Sequence, residues 1–236
     1  MKQSSAHLIA NGKQKTNMED IIQRTESWHK ARRGKFTGSE IHKLMGESRS
    51  KSEFFSDTAK TYIYEKVIEM FSDAQKESYQ TPAMQWGVDY EPLAKKWYSK
   101  FTGHKVDEIG FVELEGFEGV AGGSPDGLVA YQHIIEIKCP YSSANHIRNI
   151  LCEPTDMKSQ LKEYYWQMQF YMACLNIGHC DFISFDPRIN ADFGLHIKRI
   201  ERNEPDINTM RDRISAAIEY RNAIINKINK DNEAKA

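Results

Sequence analysis

The sequence has no long apolar run: nothing approaches the ~18 consecutive apolar residues that a membrane-crossing helix requires. Residues Met1 to Thr16 are polar and lack the apolar stretch of a secretory signal, so the expectation is a protein that stays in the cytoplasm. Positive charge is not in excess either, because 32 Lys and Arg face 33 Asp and Glu for a net charge of −1. A surface that grips phosphates everywhere is basic, so any binding of a polyanion has to come from a local patch or an enclosed channel. Cysteine is scarce. Cys139, Cys152, Cys174 and Cys180 form no C-x-x-C pair and have no histidine at zinc-ligand spacing, which argues against a zinc or iron–sulfur site and predicts buried free thiols. There is no internal repeat and no low-complexity tract.

What remains is an ordinary globular composition, 40% hydrophobic and 28% charged over 236 residues. The length suits one domain, expected over 17–229, with a flexible tail at 1–16 and a frayed end at 230–236. Positive charge is concentrated in one segment: Lys30, Arg32, Arg33 and Lys35, followed by Lys43, Arg49 and Lys51. That run reads either as a solvated face or as the local patch a polyanion would need.

Periodicity places helices around Ile41, Leu44 and Met45, with Thr37 or Ser39 as cap, and over 58–71, 88–101, 159–175 and 206–228. The segment 72–82 is polar and expected to be a loop, and Pro92 falls early enough in its helix to be tolerated. Short β-rich stretches over 109–114, 127–131, 133–138, 182–185 and 195–200 predict strands. The order, helices first and then strands and helices mixed, predicts an α/β sandwich with a mixed central β-sheet flanked by helices.

The informative segment is Gly123-Ser124-Pro125-Asp126-Gly127, followed by Glu136-Ile137-Lys138. Strand alternation puts Ile134, Glu136 and Lys138 on one face and Ile135 and Ile137 on the other. Burying Glu136 and Lys138 for packing alone is costly, which points to a chemical use. Asp126, at the end of a proline-kinked turn, can meet Glu136 across neighbouring strands and offer two hard oxygen ligands of the kind magnesium prefers. The Ile137 carbonyl is a third donor, and Lys138 can orient or deprotonate a water and offset charge on a phosphate. The competing reading is a surface ion pair between Glu136 and Lys138.

Ser-Pro-Asp-Gly-Leu at 124–128, Glu-Ile-Lys-Cys-Pro at 136–140 and Trp-Gly-x-x-Tyr-Glu at 86–91 together resemble the phage lambda exonuclease family. This is the viral recombinase branch of the P-D…(D/E)-x-K nuclease superfamily. Trp28-His29-Lys30 with Arg32, Thr37 and Ser39, Gln167-x-Gln169, Asp186-Pro187-Arg188 and Gly194-Leu195-His196 extend the match from about Trp28 to Glu201. Residues 47–80 and 142–160 find no place in it. The resemblance implies a restriction-endonuclease-like core. It also implies a metal-dependent 5′-to-3′ exonuclease on double-stranded DNA that releases 5′-mononucleotides and leaves a 3′ strand for recombination.

By the same resemblance Asp126, Glu136 and the Ile137 carbonyl hold Mg²⁺, or Mn²⁺ in its stead, Lys138 activates water, and Glu91 is the helical acid beside the metal. Arg32, Ser39, Ser124 and Gln167 match a pocket for the 5′-terminal phosphate, for which a guanidinium fork with neutral donors is suitable chemistry. Met84 matches a wedge that separates the end base pair, although a methionine there is as easily part of the core. Further implied are a homotrimeric ring, a single-strand annealing partner and a bacterial host cytoplasm. A structure- or sequence-specific endonuclease on the same metal core and a non-catalytic DNA-binding relative are the rival readings.

Overall fold

The computed structural model describes residue 21, residues 23–72 and residues 80–234. The expected tail at 1–16 lies outside them, as does most of the expected loop over 72–82.

The chain opens with α1 (Glu26–Arg32), whose first turn is capped by Thr25 accepting from the Trp28 amide, and then β1 (Phe36–Thr37). The segment Ile41–Met45 is a 3-10 helix, not an α-helix, and neither Thr37 nor Ser39 caps it. Thr37 belongs to β1, with its N–H on the Tyr62 hydroxyl, and Ser39 instead takes a hydrogen bond from Arg32. Next come α2 (Asp57–Phe71), capped by Ser56, and α3 (Pro82–Thr102). Helix α3 starts six residues before the expected Val88, because Thr81 caps the Met84 amide and Pro82 fits the first helical position. It stops at Gly103, which takes the left-handed conformation at φ 73°.

The strands follow as β2 (Val106–Asp107), β3 (Val112–Glu113), β4 (Ala121–Gly123), β5 (Gly127–Val129) and β6 (His133–Lys138). Helices α4 (Ser143–Leu151), α5 (Met157–Gln160) and α6 (Lys162–Leu175) lead to β7 (His179–Phe185), the turn-length α7 (Ala191–Gly194) and β8 (Leu195–Glu201). The closing α8 (Glu204–Glu233) runs straight through residues expected to fray from Lys230 on. Its length lets the Ile207 and Ile214 stripe hold the helix while the exposed end simply continues it.

Two sheets result, where one was expected. The larger has the order β2-β5-β6-β7-β8 and is mixed: β6 and β7 are parallel and the other pairs antiparallel. A small sheet, β1-β4-β3, stands beside it. Alternation along β6 divides the core as the sequence implies. Ile134 packs with Phe182, Met168 and Ile214 under α6 and α8, while Ile135 and Ile137 pack with Ala94 and Tyr98 of α3 on the opposite face. All four cysteines are buried free thiols. Among the described residues no helix is long and apolar enough to cross a membrane.

Candidate active site

Strand register brings the two acids together. Gly127 pairs with Ile135, so Asp126, one residue before β5, stands level with Glu136 on β6. The Asp126 carboxylate accepts the Ile137 amide at 2.7 Å, which fixes it over the strand. Glu136 is 1% exposed: its Oε1 takes an ion pair from Lys138 Nζ at 2.7 Å, and its buried Oε2 has no hydrogen-bond partner. Lys138 also donates to Gln167 Oε1 at 3.1 Å and lies 4.8 Å over the Tyr164 ring. Gln167 and Tyr164 share one side of α6, three positions apart, as their helical spacing requires.

Glu91 reaches the same place from α3. It is a buried carboxylate, not an exposed one, held by Lys95 at 2.9 Å and by Arg24. Burial pushes its pKa up, but Lys95 and Arg24 outweigh that and hold it below the ordinary value. Asp126 goes the other way, well above the usual carboxylate range, first through burial and then through Glu136 and Glu91. Glu136 is likewise raised by burial, with Lys138 pulling it back. Burial would lower Lys138, yet Glu136 and Asp126 override it and the ammonium is retained.

The cations of the cluster pair with Glu91 and Glu136, whereas Asp126 is crowded by both of those acids and Glu136 Oε2 is unpartnered among the described residues, so a further cation could be held here. The donors are all hard oxygens, the set that Mg²⁺ or Mn²⁺ takes. Ile137 has its side chain in the core, so only its backbone is offered to the site.

The second group of residues named from the sequence lies on the α1 side. Arg32 donates to Ser39 Oγ at 3.1 Å and to Thr37 Oγ1 at 3.4 Å. Its guanidinium stacks 4.3 Å over Trp28, whose indole N–H donates to Ser124 Oγ at 3.0 Å. Gln167 Nε2 donates to the Tyr171 hydroxyl at 3.3 Å while its oxygen accepts from Lys138. Met84 sits in the first turn of α3, two helical turns before Glu91, and is 56% exposed, which removes the core reading.

Sequence reasoning left several contributors without a role. Trp28 was recognised in its motif, and its spacing of four from Arg32 was the available signal for the stack. Lys95, which steadies Glu91, lies four residues after it in one helix, and that spacing was the available signal; Arg24, which also holds Glu91, carried none that stands out. The basic segment is weaker than its composition suggests, since Lys35 pairs with Glu113 at 2.6 Å and Lys43 with Glu40 at 2.7 Å.

Over residues 27–177 the chain matches the YqaJ-like viral recombinase domain. The chain belongs to that family. The YqaJ-like segment runs from α1 into the loop after α6 and contains the acids, Lys138 and the Arg32 group, with Arg24 just outside it. An alkaline exonuclease (LHK-Exo) from Laribacter hongkongensis is 32% identical, with a TM-score of 0.77 over 90% of this chain and 100% of the other. The same enzyme in complex with dAMP gives a TM-score of 0.78 at the same identity and coverage. A phage related exonuclease from Haemophilus somnus 129PT, 22% identical, shares the fold with a TM-score of 0.67 over 82% of this chain and 96% of its own. No curated protein matches the chain. The family and nuclease fold implied by the motifs are thereby borne out, and with them the class of enzyme, an exonuclease.

Proposed function

We propose that this YqaJ-like chain is a magnesium-dependent 5′-to-3′ exonuclease of double-stranded DNA, releasing 5′-mononucleotides and leaving a 3′ single strand for recombination in a bacterial cytoplasm. The observation that carries the reading is the buried cluster of Asp126, Glu136 and Lys138, with Asp126 level with Glu136 and Lys138 bonded both to Glu136 and to Gln167. Asp126, Glu136, the Ile137 carbonyl and Glu91 are the groups that would hold the metal. When bound, the ion supplies a Lewis acid for the scissile phosphate and lowers the pKa of the attacking water.

The chain's own groups do the rest. Lys138, as an ammonium, orients the water and offsets charge growing on the phosphate. Arg32, Ser39, Ser124 and Gln167 cradle the 5′-terminal phosphate, a dianion for which a guanidinium with neutral donors is well matched. Met84, exposed in the first turn of α3, would press on the end base pair. Three copies closing a ring around the duplex, and an annealing protein receiving the 3′ strand, complete the reading.

Digestion of linear duplex with and without a 5′ phosphate, alongside closed circular DNA, tests it. Mononucleotides from the phosphorylated linear substrate, with the circle intact, are expected. Cutting of the circle would assign an endonuclease instead.

A further inference from the structure

A second group of metal-ligating side chains lies away from the acids. His133 opens β6 and His179 opens β7, and the parallel register that pairs Ile134 with Cys180 sets the two histidines side by side. Their rings stack with centroids 4.8 Å apart and planes at 19°. Asp181, two residues along β7, shares the face of His179. One ligand atom from each of the three lies within 4.8 Å of the others. This is the sheet face covered by α3, and His133 stands three residues, or about 10 Å of strand, from Glu136.

Two of the three have their hydrogen bonds met. The Tyr98 hydroxyl donates to Asp181 Oδ2 at 2.8 Å and lies 3.0 Å from His133 Nε2, and Arg199 donates to Asp181 Oδ1 at 3.2 Å. Helix packing and the ion pair thus account for Asp181 and His133. They do not account for His179, whose buried Nε2 has no partner among the described residues. An imidazole nitrogen held dry and unpaired beside a second imidazole and a carboxylate is costly unless something takes its lone pair.

We propose that His133, His179 and Asp181 form a second cation site, for a zinc-class transition metal and distinct from the magnesium site. Two imidazoles and one carboxylate are the ligand set of three-coordinate protein sites for zinc, cobalt or nickel, with water in the fourth place, and they suit magnesium poorly. Burial holds the His133 pKa below its ordinary value, against the pull of Asp181. Donors on a tetrahedral zinc lie about 3.4 Å apart. His133 Nε2 and Asp181 Oδ2 are already 3.4 Å apart, so closure asks for the Tyr98 hydroxyl to release His133 and for a turn of the half-buried His179 ring. Tyr98 would then keep its bond to Asp181 as an outer support, and half-exposed Arg199 is free to turn to water. The metal would tie β6 to β7 at the end of the sheet remote from Lys138.

The test uses full-length, metal-stripped protein without DNA or magnesium, titrated with Co²⁺ and then Zn²⁺. Visible ligand-field absorption is expected on adding cobalt, abolished by zinc, together with a metal-dependent rise in Tm. In His179→Gln the apparent affinity should fall about a hundredfold or more, since even an outer-sphere partner is worth 10–100-fold, while magnesium-supported cleavage is retained. Glu136→Gln, which damages the other site, should keep the cobalt signal. Should His179→Gln fail to fold by circular dichroism, Arg199→Gln serves in its place, and removing the competing ion pair should tighten cobalt binding. No cobalt absorption in the wild type, or a signal lost with Glu136 and kept without His179, overturns the assignment.

Discussion

Glu136 carries the plainest residue-scale consequence, because a buried carboxylate with one unpartnered oxygen costs stability until a cation arrives. Glu136→Gln should abolish cleavage yet leave metal-free Tm unchanged or raised by a few degrees, at about 2–4 °C per kcal/mol for a chain of this size. Differential scanning calorimetry in EDTA checks it, and a sharp fall in Tm would mean that the Lys138 ion pair, and not cation binding, is what the carboxylate is for. Protons compete for the same oxygens. Asp126 and Glu136 have folded pKa values raised by burial, so their contribution to metal-free stability is present at low pH and lost as pH rises through those values. Magnesium must displace those protons, so its apparent affinity should strengthen with rising pH, up to about tenfold per unit for each proton displaced. Magnesium titrations of activity at two pH values on either side of neutrality measure this, and a flat response would place the metal elsewhere. On the other side of the site, Arg32→Ala should erase the preference for a phosphorylated 5′ end, a loss of about 1.5–3 kcal/mol or at least tenfold, while general duplex binding falls less. Equal losses for both kinds of end would reduce Arg32 to a backbone contact.

At the scale of elements, α6 is located by close approach to glycine. A Cβ on Gly38 would meet Tyr171 at 2.4 Å, and one on Gly123 would meet it at 2.5 Å, so this ring sits hard against β4 and the turn after β1. Gly123→Ala should push α6 outward, destabilise by about 1–3 kcal/mol, and slow cleavage by moving Gln167. Gly87 in α3 is the contrast, with nothing within 4 Å of its added Cβ, and Gly87→Ala should stabilise by up to about 1 kcal/mol. A stable Gly87→Ala variant that has lost activity would mean that DNA needs the space. These contrasts also show what the sequence could and could not carry. Alternation in β6 and the stripes of α2, α6 and α8 were readable because each is long enough for a period to repeat. Strands β1 and β4, two and three residues long and partly glycine, are too short for any period, and their pairing depends on residues far apart in the chain. Asp126, Glu136 and Lys138 were legible because they lie within one hairpin. Arg24 was not, since only packing brings it to Glu91, and the pairing of His133 with His179 likewise depends on parallel register.

For the whole molecule, near-neutral charge and the pairing of Lys35 and Lys43 with acids leave one subunit a poor open surface for DNA. Enclosure by the proposed ring would compensate by adding the fields of several subunits in one hole. Light scattering at micromolar concentration should therefore give three times 27.3 kDa, and a monomer would refute the ring while leaving the chemistry of the site intact. The hydrogen bond from Lys138 to Gln167 then acquires a further meaning. If one end of that link faces the terminal phosphate and the other the phosphate being cut, their spacing is a ruler with a single division. Such an enzyme does not choose its product length by affinity. It would count by reach, with Gln167 setting the stride at one nucleotide.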